Sequence, residues 1–368
     1  TTTVTILDDD LSAGDLLISE FRLRGRNGAN DEYIKLFNPN DFDVTVNAAD
    51  DSSGYAIACV KNDTIDTVAS IPNLVTIPSR GSYMITNNNP SGGFSMIDYP
   101  TGRGTTTLVG DRTFSADIPD NADIVLIRST NVSAFEPQNA VDAVGFGQSE
   151  WTSEGMALPR MSPENSEFGY VRRLTPSGLQ DTGNNRVDFV LVDGVGRNFA
   201  GALDGKVMST LGSPAPETTE SLPMMKPSEV SVIEVLSPVW DPIPVPNGRY
   251  GTFTVYRMIT NNTSTPIYSL RIRTIDFPTL GSLSQMRTSA RPDFRLMSSL
   301  NEASNVKGTT LAAERLQPAG GGLNSTLTVD AISATSPLLP GQSIVVAIKF
   351  GVVRYGRFSF DAAIEALR

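Results

Sequence analysis

The chain of 368 residues contains no histidine. That removes Ser-His-Asp and Cys-His nucleophile activation, every zinc site that needs an imidazole, and the usual proton shuttle. Paired carboxylates of the glycosidase kind stay open, so the absence narrows enzyme chemistry without closing it. Cys59 is the single cysteine, which excludes an internal disulfide; within Tyr55-Ala-Ile-Ala-Cys-Val60 it alternates onto a strand and reads as a small buried hydrophobe. No stretch approaches the roughly 18 uninterrupted apolar residues of a membrane span, so no span is expected. Aromatic residues make up only 7% of the chain, few for a surface that stacks on ligands.

Thr1 is not a start methionine, and the expectation is a processed, secreted protein whose signal peptide has been removed. What is plentiful points elsewhere than catalysis. Hydrophobic content of 39% suffices for sizeable cores, while 31 Gly and 24 Pro with 19% charged residues lean towards an all-β protein rich in turns. A chain of this length exceeds the usual size of one hydrophobic core, so two domains are expected.

The stretch Asp15 to Asn40 organises the first of them. Leu17, Ser19, Phe21 and Leu23 alternate with Ile18, Glu20, Arg22 and Arg24, a turn-rich Gly25-Arg-Asn-Gly-Ala-Asn30 follows, and Glu32 to Phe37 reads as the return strand. Asn38-Pro-Asn40 then forces a change of direction. Leu17-Ile-Ser-Glu-Phe21 with Asn30-Asp-Glu-Tyr-Ile-Lys-Leu-Phe-Asn-Pro39 resembles the opening of a bacterial secreted lamin-tail domain. Pro78 to Thr86, Ile118 to Ile127, Val141 to Gly147, Tyr170 to Leu174 and Asp188 to Val192 follow in that family's order, covering roughly residues 14–215. The resemblance implies an immunoglobulin-like antiparallel β-sandwich and a binding or architectural role, with no reaction attached.

Further strands are expected at Val44–Val46, Tyr55–Val60, Thr67–Ile71, Tyr83–Thr86, Ile124–Ile127, Ala140–Gly145 and Tyr170–Arg173, with long insertions near 87–116 and 147–168. Residues 14–212 thus form the first sandwich. Residues 213–228, rich in Pro, Ser and Thr, read as an extended linker. Residues 229–368 read as a second antiparallel β-sandwich, with strands at Val230–Leu236, Arg249–Thr260, Tyr268–Asp276, Ser325–Val329, Ser343–Phe350 and Gly356–Asp361. Asn261 to Arg273, Gly320 to Leu327, Leu339 to Ser343 and Glu365 to Leu367 resemble a module of acidobacterial-type secreted proteins, which implies an extracellular or cell-surface location.

Residues 1–13 stand apart. Thr1-Thr-Thr-Val-Thr-Ile-Leu7 is β-branched up to its last residue and ends at Asp8-Asp-Asp10. A lone strand needs a partner edge, so Thr3, Val4, Thr5, Ile6 and Leu7 are the candidate donor strand, added either within the domain or to the sheet of another copy. The charges agree with the second option. Residues 229–368 hold 13 Lys and Arg against 10 Asp and Glu, about +3, which leaves about −14 of the total −11 for the first 228 residues. Halves of opposite sign favour head-to-tail contact between copies, and a heterologous contact that does not close makes a filament or layer. The acidic first part argues against nucleic acid as a partner. Arg outnumbers Lys by 23 to 6, which suits multidentate pairing with carboxylates at permanent contacts.

No cofactor is expected. Asp8, Asp9, Asp10, Asp50 and Asp51 form the clusters that a hard cation such as Ca²⁺ would use, but their spacing matches no calcium loop, and solvated acidic turns are the preferred reading. Gly145-Phe-Gly147 and Gly194-Val-Gly196 lack both the third glycine and the following helix of a dinucleotide loop. The function read from the sequence is a non-catalytic structural protein that assembles with itself. The alternative is a secreted adhesion or glycan-binding module acting through the insertions, with Tyr99, Trp151 and Phe168 as stacking residues.

Overall fold

The computed structural model describes residues 14–107, 109–135, 140–152, 154–175, 178–203, 205–280, 292–297, 306–308 and 321–368. Regular structure among them is almost entirely strand, the exceptions being a four-residue helix at Asn185–Asp188 and one 3-10 turn at Val132–Ala134. The N-terminal half contains β1 (Leu17–Arg22), β2 (Tyr33–Phe37), β3 (Gly54–Lys61), β4 (Thr64–Pro72), β5 (Ser82–Asn87) and β6 (Arg112–Phe114). It continues with β7 (Asp123–Ile127), β8 (Ala140–Val144), β9 (Phe168–Arg172), β10 (Phe189–Asp193) and β11 (Thr210–Leu211). A seven-stranded sheet runs β11-β10-β9-β1-β2-β5-β6, and a four-stranded sheet runs β8-β7-β3-β4.

Period-2 alternation sends Ile18, Phe21, Ile34, Leu36, Tyr83, Ile85 and Tyr170 from the larger sheet, and Ile57, Cys59, Ile124 and Leu126 from the smaller, into one core. A register shift between Ile18 and Glu20 keeps Ile18 and Phe21 on the same face although they lie three positions apart. Pairing is antiparallel except where β5 meets β6 and β10 meets β11, which are parallel. Long connections before β6 and β11 allow this, because a parallel partner needs a crossover of a dozen or more residues.

The C-terminal half contains β12 (Val230–Asp241), β13 (Thr252–Asn261), β14 (Ser269–Asp276), β15 (Asp293–Met297), β16 (Val306–Gly308), β17 (Thr326–Val329), β18 (Ser343–Arg354) and β19 (Asp361–Leu367). Two four-stranded sheets, β12-β13-β18-β15 and β16-β17-β14-β19, share a second core built from Val255, Ile259, Ile272, Leu327, Val346, Ile348, Phe350 and Ile364.

The expected strand Gly356–Asp361 is not one; the chain is irregular there, and the strand begins at Asp361. Its apolar alternation has another cause. Phe358 stacks on Phe294 at 3.9 Å and Phe360 meets Phe350 at 5.0 Å, so the rings plug the end of the core without a ladder partner.

The stretch 213–228 has no strand, as an extended connection would, yet it is packed tightly. Ser213, Ala215, Glu217, Leu222 and Met225 are buried. Its backbone bonds both halves: Leu222 N donates to Thr101 O at 3.1 Å and Met225 N donates to Ile364 O at 2.8 Å. The insertion after β5 lies on the outer face of the seven-stranded sheet, where Phe94, Met96 and Tyr99 join Tyr33, Met84 and Ala215 in a small cluster of their own.

Candidate functional site

Two features of this fold concentrate unusual chemistry. The first is a buried ion cluster where the halves meet. Arg271 and Arg273 lie two apart on β14 and so share a face, and the register sets Glu365 of β19 opposite Arg271. The Glu365 carboxylate accepts from Nε of both arginines, and Glu217 accepts from the Nη2 atoms of both. Lys35 Nζ stands 3.6 Å from Glu217 and 3.1 Å from Glu20, and it donates to Ala215 O at 2.7 Å. Tyr33 Oη and Ala215 N each donate to Glu20 Oε1 at 2.6 Å. Arg271 is wholly buried, and Arg273 and Glu217 nearly so.

Three cations thus meet three carboxylates drawn from β1, β2, β14, β19 and the 213–228 stretch. Such a cluster holds because nearly every donor has an acceptor, and removing one member leaves a bare charge in a poorly solvated site. The neighbouring arginines hold the Glu217 carboxyl down at about 2 against the opposing effect of burial. A cleft of about 370 Å³ opens beside the cluster, lined by Lys35, Arg80, Arg173, Leu174 and Met224 among others.

Acids with raised pKa values lie elsewhere. Burial pushes Glu32 up to about 9 against hydrogen bonds from Asn87 Nδ2 at 2.6 Å and Ile118 N at 2.8 Å. Glu154 is pushed to about 9 by burial and by Asp142. A carboxylic acid kept neutral is what a general acid requires, but neither residue lines the cleft. Their effect is on stability. A raised folded value means that the contribution is complete below the ordinary Glu value of 4.5 and is lost as pH climbs through 9. The melting temperature should therefore fall between pH 4.5 and pH 9, and Glu32→Gln should flatten part of that fall in a calorimetric pH series. An unchanged slope in the variant would show that Glu32 is ionised in the fold at neutral pH.

The second feature is an open sheet edge. β12 pairs with β13 along one side; among the described residues no backbone hydrogen bond reaches the other side of Ser231–Trp240. Val232, Ile233, Leu236, Val239 and Trp240 are exposed by 45%, 49%, 55%, 51% and 52%. The registers place Ile233 beside Met258 and Met258 beside Val345, then Leu236 beside Tyr256 and Tyr256 beside Ala347. An apolar band therefore crosses the face of this sheet opposite the core, where alternation would ordinarily put polar groups. At the end of the strand, Trp240 Nε1 donates to Tyr250 O at 3.1 Å and the Trp240 ring stands 6.2 Å from exposed Tyr355.

Several other edges carry backbone or side-chain partners among the described residues. Met225 N and Ala366 N tie the 213–228 stretch to β19, Gly212 bridges to Leu323 beyond β11, and Leu296 N donates to Gly321 O at the β15 edge. Asp142 in β8 accepts from Ile18 N. β4 is the other long edge, but it exposes Thr64, Asp66 and Thr67 in place of apolar groups.

Residues singled out from the sequence are scattered. Tyr99 is 0% exposed and lies beside Arg271 and Arg273; Phe168 is 3% exposed and packs on Phe199 at 5.3 Å. Neither presents a ring to solvent, so the proposed stacking role does not fit them. Trp151 is half-buried against Phe135 at 4.8 Å. Asp50 caps a turn, accepting from Ser129 Oγ at 2.7 Å and Ser52 N at 3.2 Å, and Asp51 takes a left-handed φ of 60°. No group of three candidate metal ligands forms among the described residues. Asp8, Asp9 and Asp10, with the strand Thr3, Val4, Thr5, Ile6 and Leu7, lie outside the described residues. Cys59 is buried in the first core, and burial raises its thiol to about 11.

Sequence reasoning missed the ion cluster. Alternation gave Lys35 and Arg271 faces, but nothing local marked those faces as covered. Glu20, Asp31 and Glu32 are each wholly buried with partners, Asp31 with Arg22 among them.

Fold and surface together define an all-β protein whose two sets of packed sheets meet at a buried ion cluster and whose apolar edge strand β12 is, among the described residues, open on one side. No protein family, curated protein or solved structure matches the chain.

Proposed function

We propose that this chain is a non-catalytic structural protein, extracellular or on the cell surface, whose copies assemble into a filament or layer by strand addition and head-to-tail contacts. The observation that carries the reading is the open, apolar edge strand β12. A long exposed hydrophobic edge is a template for another strand, and soluble monomers normally blunt such an edge with charge or cover. Three features support it: the β-branched run Thr1 to Leu7, the opposite net charges of the acidic first part and the basic second part of the chain, and the resemblance to secreted architectural modules. Donor and acceptor are different segments of the chain, which makes the contact heterologous, and addition continues from copy to copy where the rotation between copies does not close a ring.

The full chain should sediment as concentration-dependent assemblies and show extended particles in negative stain. Deleting Thr1 to Leu7 should leave folded monomers, because the donor is lost while both cores remain. Assemblies of unchanged length from the shortened chain would overturn strand donation, and a full chain that stays monomeric at every concentration would overturn the function.

A further inference from the structure

We infer that the acceptor for Thr3 to Leu7 of a second copy is the open side of Val230–Glu234, the first part of β12. The inference rests on the assembly reading above and adds where the strand lands.

Length is the first argument. Val230 to Glu234 pair in unbroken register with Asn261 to Arg257, and the ladder first shifts between Glu234 and Leu236. Beyond that point come a second shift and Pro238, devices that blunt an edge. The regular part is five residues, matching the five from Thr3 to Leu7.

Chemistry is the second. A strand with no charged side chain brings no ion of its own to this edge, and Glu234, the one charged residue among the five acceptor positions, keeps its pair with Arg257 at 2.9 Å. Val4 and Ile6 fall on one face and Thr3, Thr5 and Leu7 on the other. Whichever parity is adopted, one donor face continues the row of Ile233, Met258 and Val345, and the other sits beside Val230 and Val232 at the rim of the core.

Charge is the third. Asp8 to Asp10 follow the donor directly, and the half that holds β12 is net basic, 13 Lys and Arg against 10 Asp and Glu. β4, the rival edge, presents Asp66 on the acidic half, where three more carboxylates would be repelled, whereas the one carboxylate of Val230–Glu234, Glu234, is paired with Arg257.

Disulfide trapping tests this, because Cys59 is buried with a raised thiol pKa and gives little background. Cross-strand neighbours have Cα atoms about 4.5–5.5 Å apart, within disulfide reach. Chains carrying Thr3→Cys, Val4→Cys, Thr5→Cys or Ile6→Cys are each mixed with chains carrying Ile233→Cys or Val68→Cys, oxidised mildly and run on non-reducing gels. The expected result is a crosslinked dimer with Ile233→Cys, strong for one donor position and weak for its neighbours, and none with Val68→Cys above the parent chain. Crosslinking to Val68→Cys at equal or greater yield overturns the assignment in favour of β4. In a parallel sample of a chain carrying a donor cysteine together with Ile233→Cys, an intramolecular crosslink with no mixed dimer in the mixtures overturns transfer between copies. Assemblies without any crosslink overturn this acceptor alone and leave the assembly reading standing, whereas absence of assemblies in the parent chain overturns that reading. Ile233→Lys, checked for a native circular dichroism spectrum, should abolish the polymer; polymer of normal length from it would also overturn the assignment.

Discussion

Replacing Glu217 with alanine is expected to destabilise the folded chain by about 3–5 kcal/mol, the usual consequence of removing one partner from a buried ion pair. The substitution takes away the one carboxylate that touches Arg271, Arg273 and Lys35 together, leaving Glu365 and Glu20 to balance three cations. At roughly 2–4 °C per kcal/mol for domains of 150–250 residues, the melting temperature should drop by on the order of 10 °C. The pH dependence makes the test specific. Glu217 is depressed to about 2 from an ordinary 4.5, so its contribution is present above pH 4.5 and is lost as pH falls from there towards 2. The parent chain should lose stability across that window, and Glu217→Ala should lose less. Glu217→Gln, which keeps an acceptor but no charge, should be intermediate in stability at pH 7 and should share the reduced pH slope of Glu217→Ala. Equal slopes in parent and variant would show that the cluster is not what holds the halves together.

Phe21→Ala should cost about 3–5 kcal/mol, as large-to-small changes at fully buried aromatics do. The Phe21 ring stacks on Tyr170 at 5.0 Å and meets Phe189 at 5.8 Å and Phe146 at 6.1 Å edge-on. It is wholly buried in the first core, where a void cannot be filled by neighbours already packed against one another. Phe21→Leu retains most of the volume and should cost less than half as much. Urea unfolding with unchanged m-values measures both; a Phe21→Ala midpoint within error of the parent would mean that this core relaxes freely around the gap.

How far each feature was legible depends on whether its cause lies close in sequence. Gly54–Lys61, Ser82–Asn87, Asp123–Ile127 and Ser343–Arg354 stand within a few residues of where alternation places them, because a strand that buries one face must repeat every two residues. Gly356–Asp361 deceived for the same reason: two phenylalanines at spacing two satisfy that pattern while filling the end of a core. Tyr99 and Phe168 were legible as aromatic but not as buried, since exposure depends on what covers a loop and the covering segments come from remote parts of the chain.

The open edge was half visible. Val230–Leu236 reads as a strand of apolar alternation, and apolar alternation ordinarily means a buried face. Only the sheet order β12-β13-β18-β15 shows that this strand is outermost. The same limit governs the opening stretch Asp15 to Asn40. Its two strands were set locally and emerge as β1 and β2, but the shift between Ile18 and Glu20 moves Ile18 from the expected face of Glu20 and Arg22 to that of Phe21; Glu20 gains meaning from Ala215, 195 residues away, and Glu217 from Arg271, 54 residues away.

The sequence by itself determined that this is an all-β protein without imidazole or disulfide chemistry, because composition and period-2 patterning act within a few residues. Tertiary structure alone decided which polar faces are covered, which carboxylates meet which arginines, and which edge stays open. Those depend on contacts between segments far apart in the chain, and no local pattern encodes where a distant segment comes to rest.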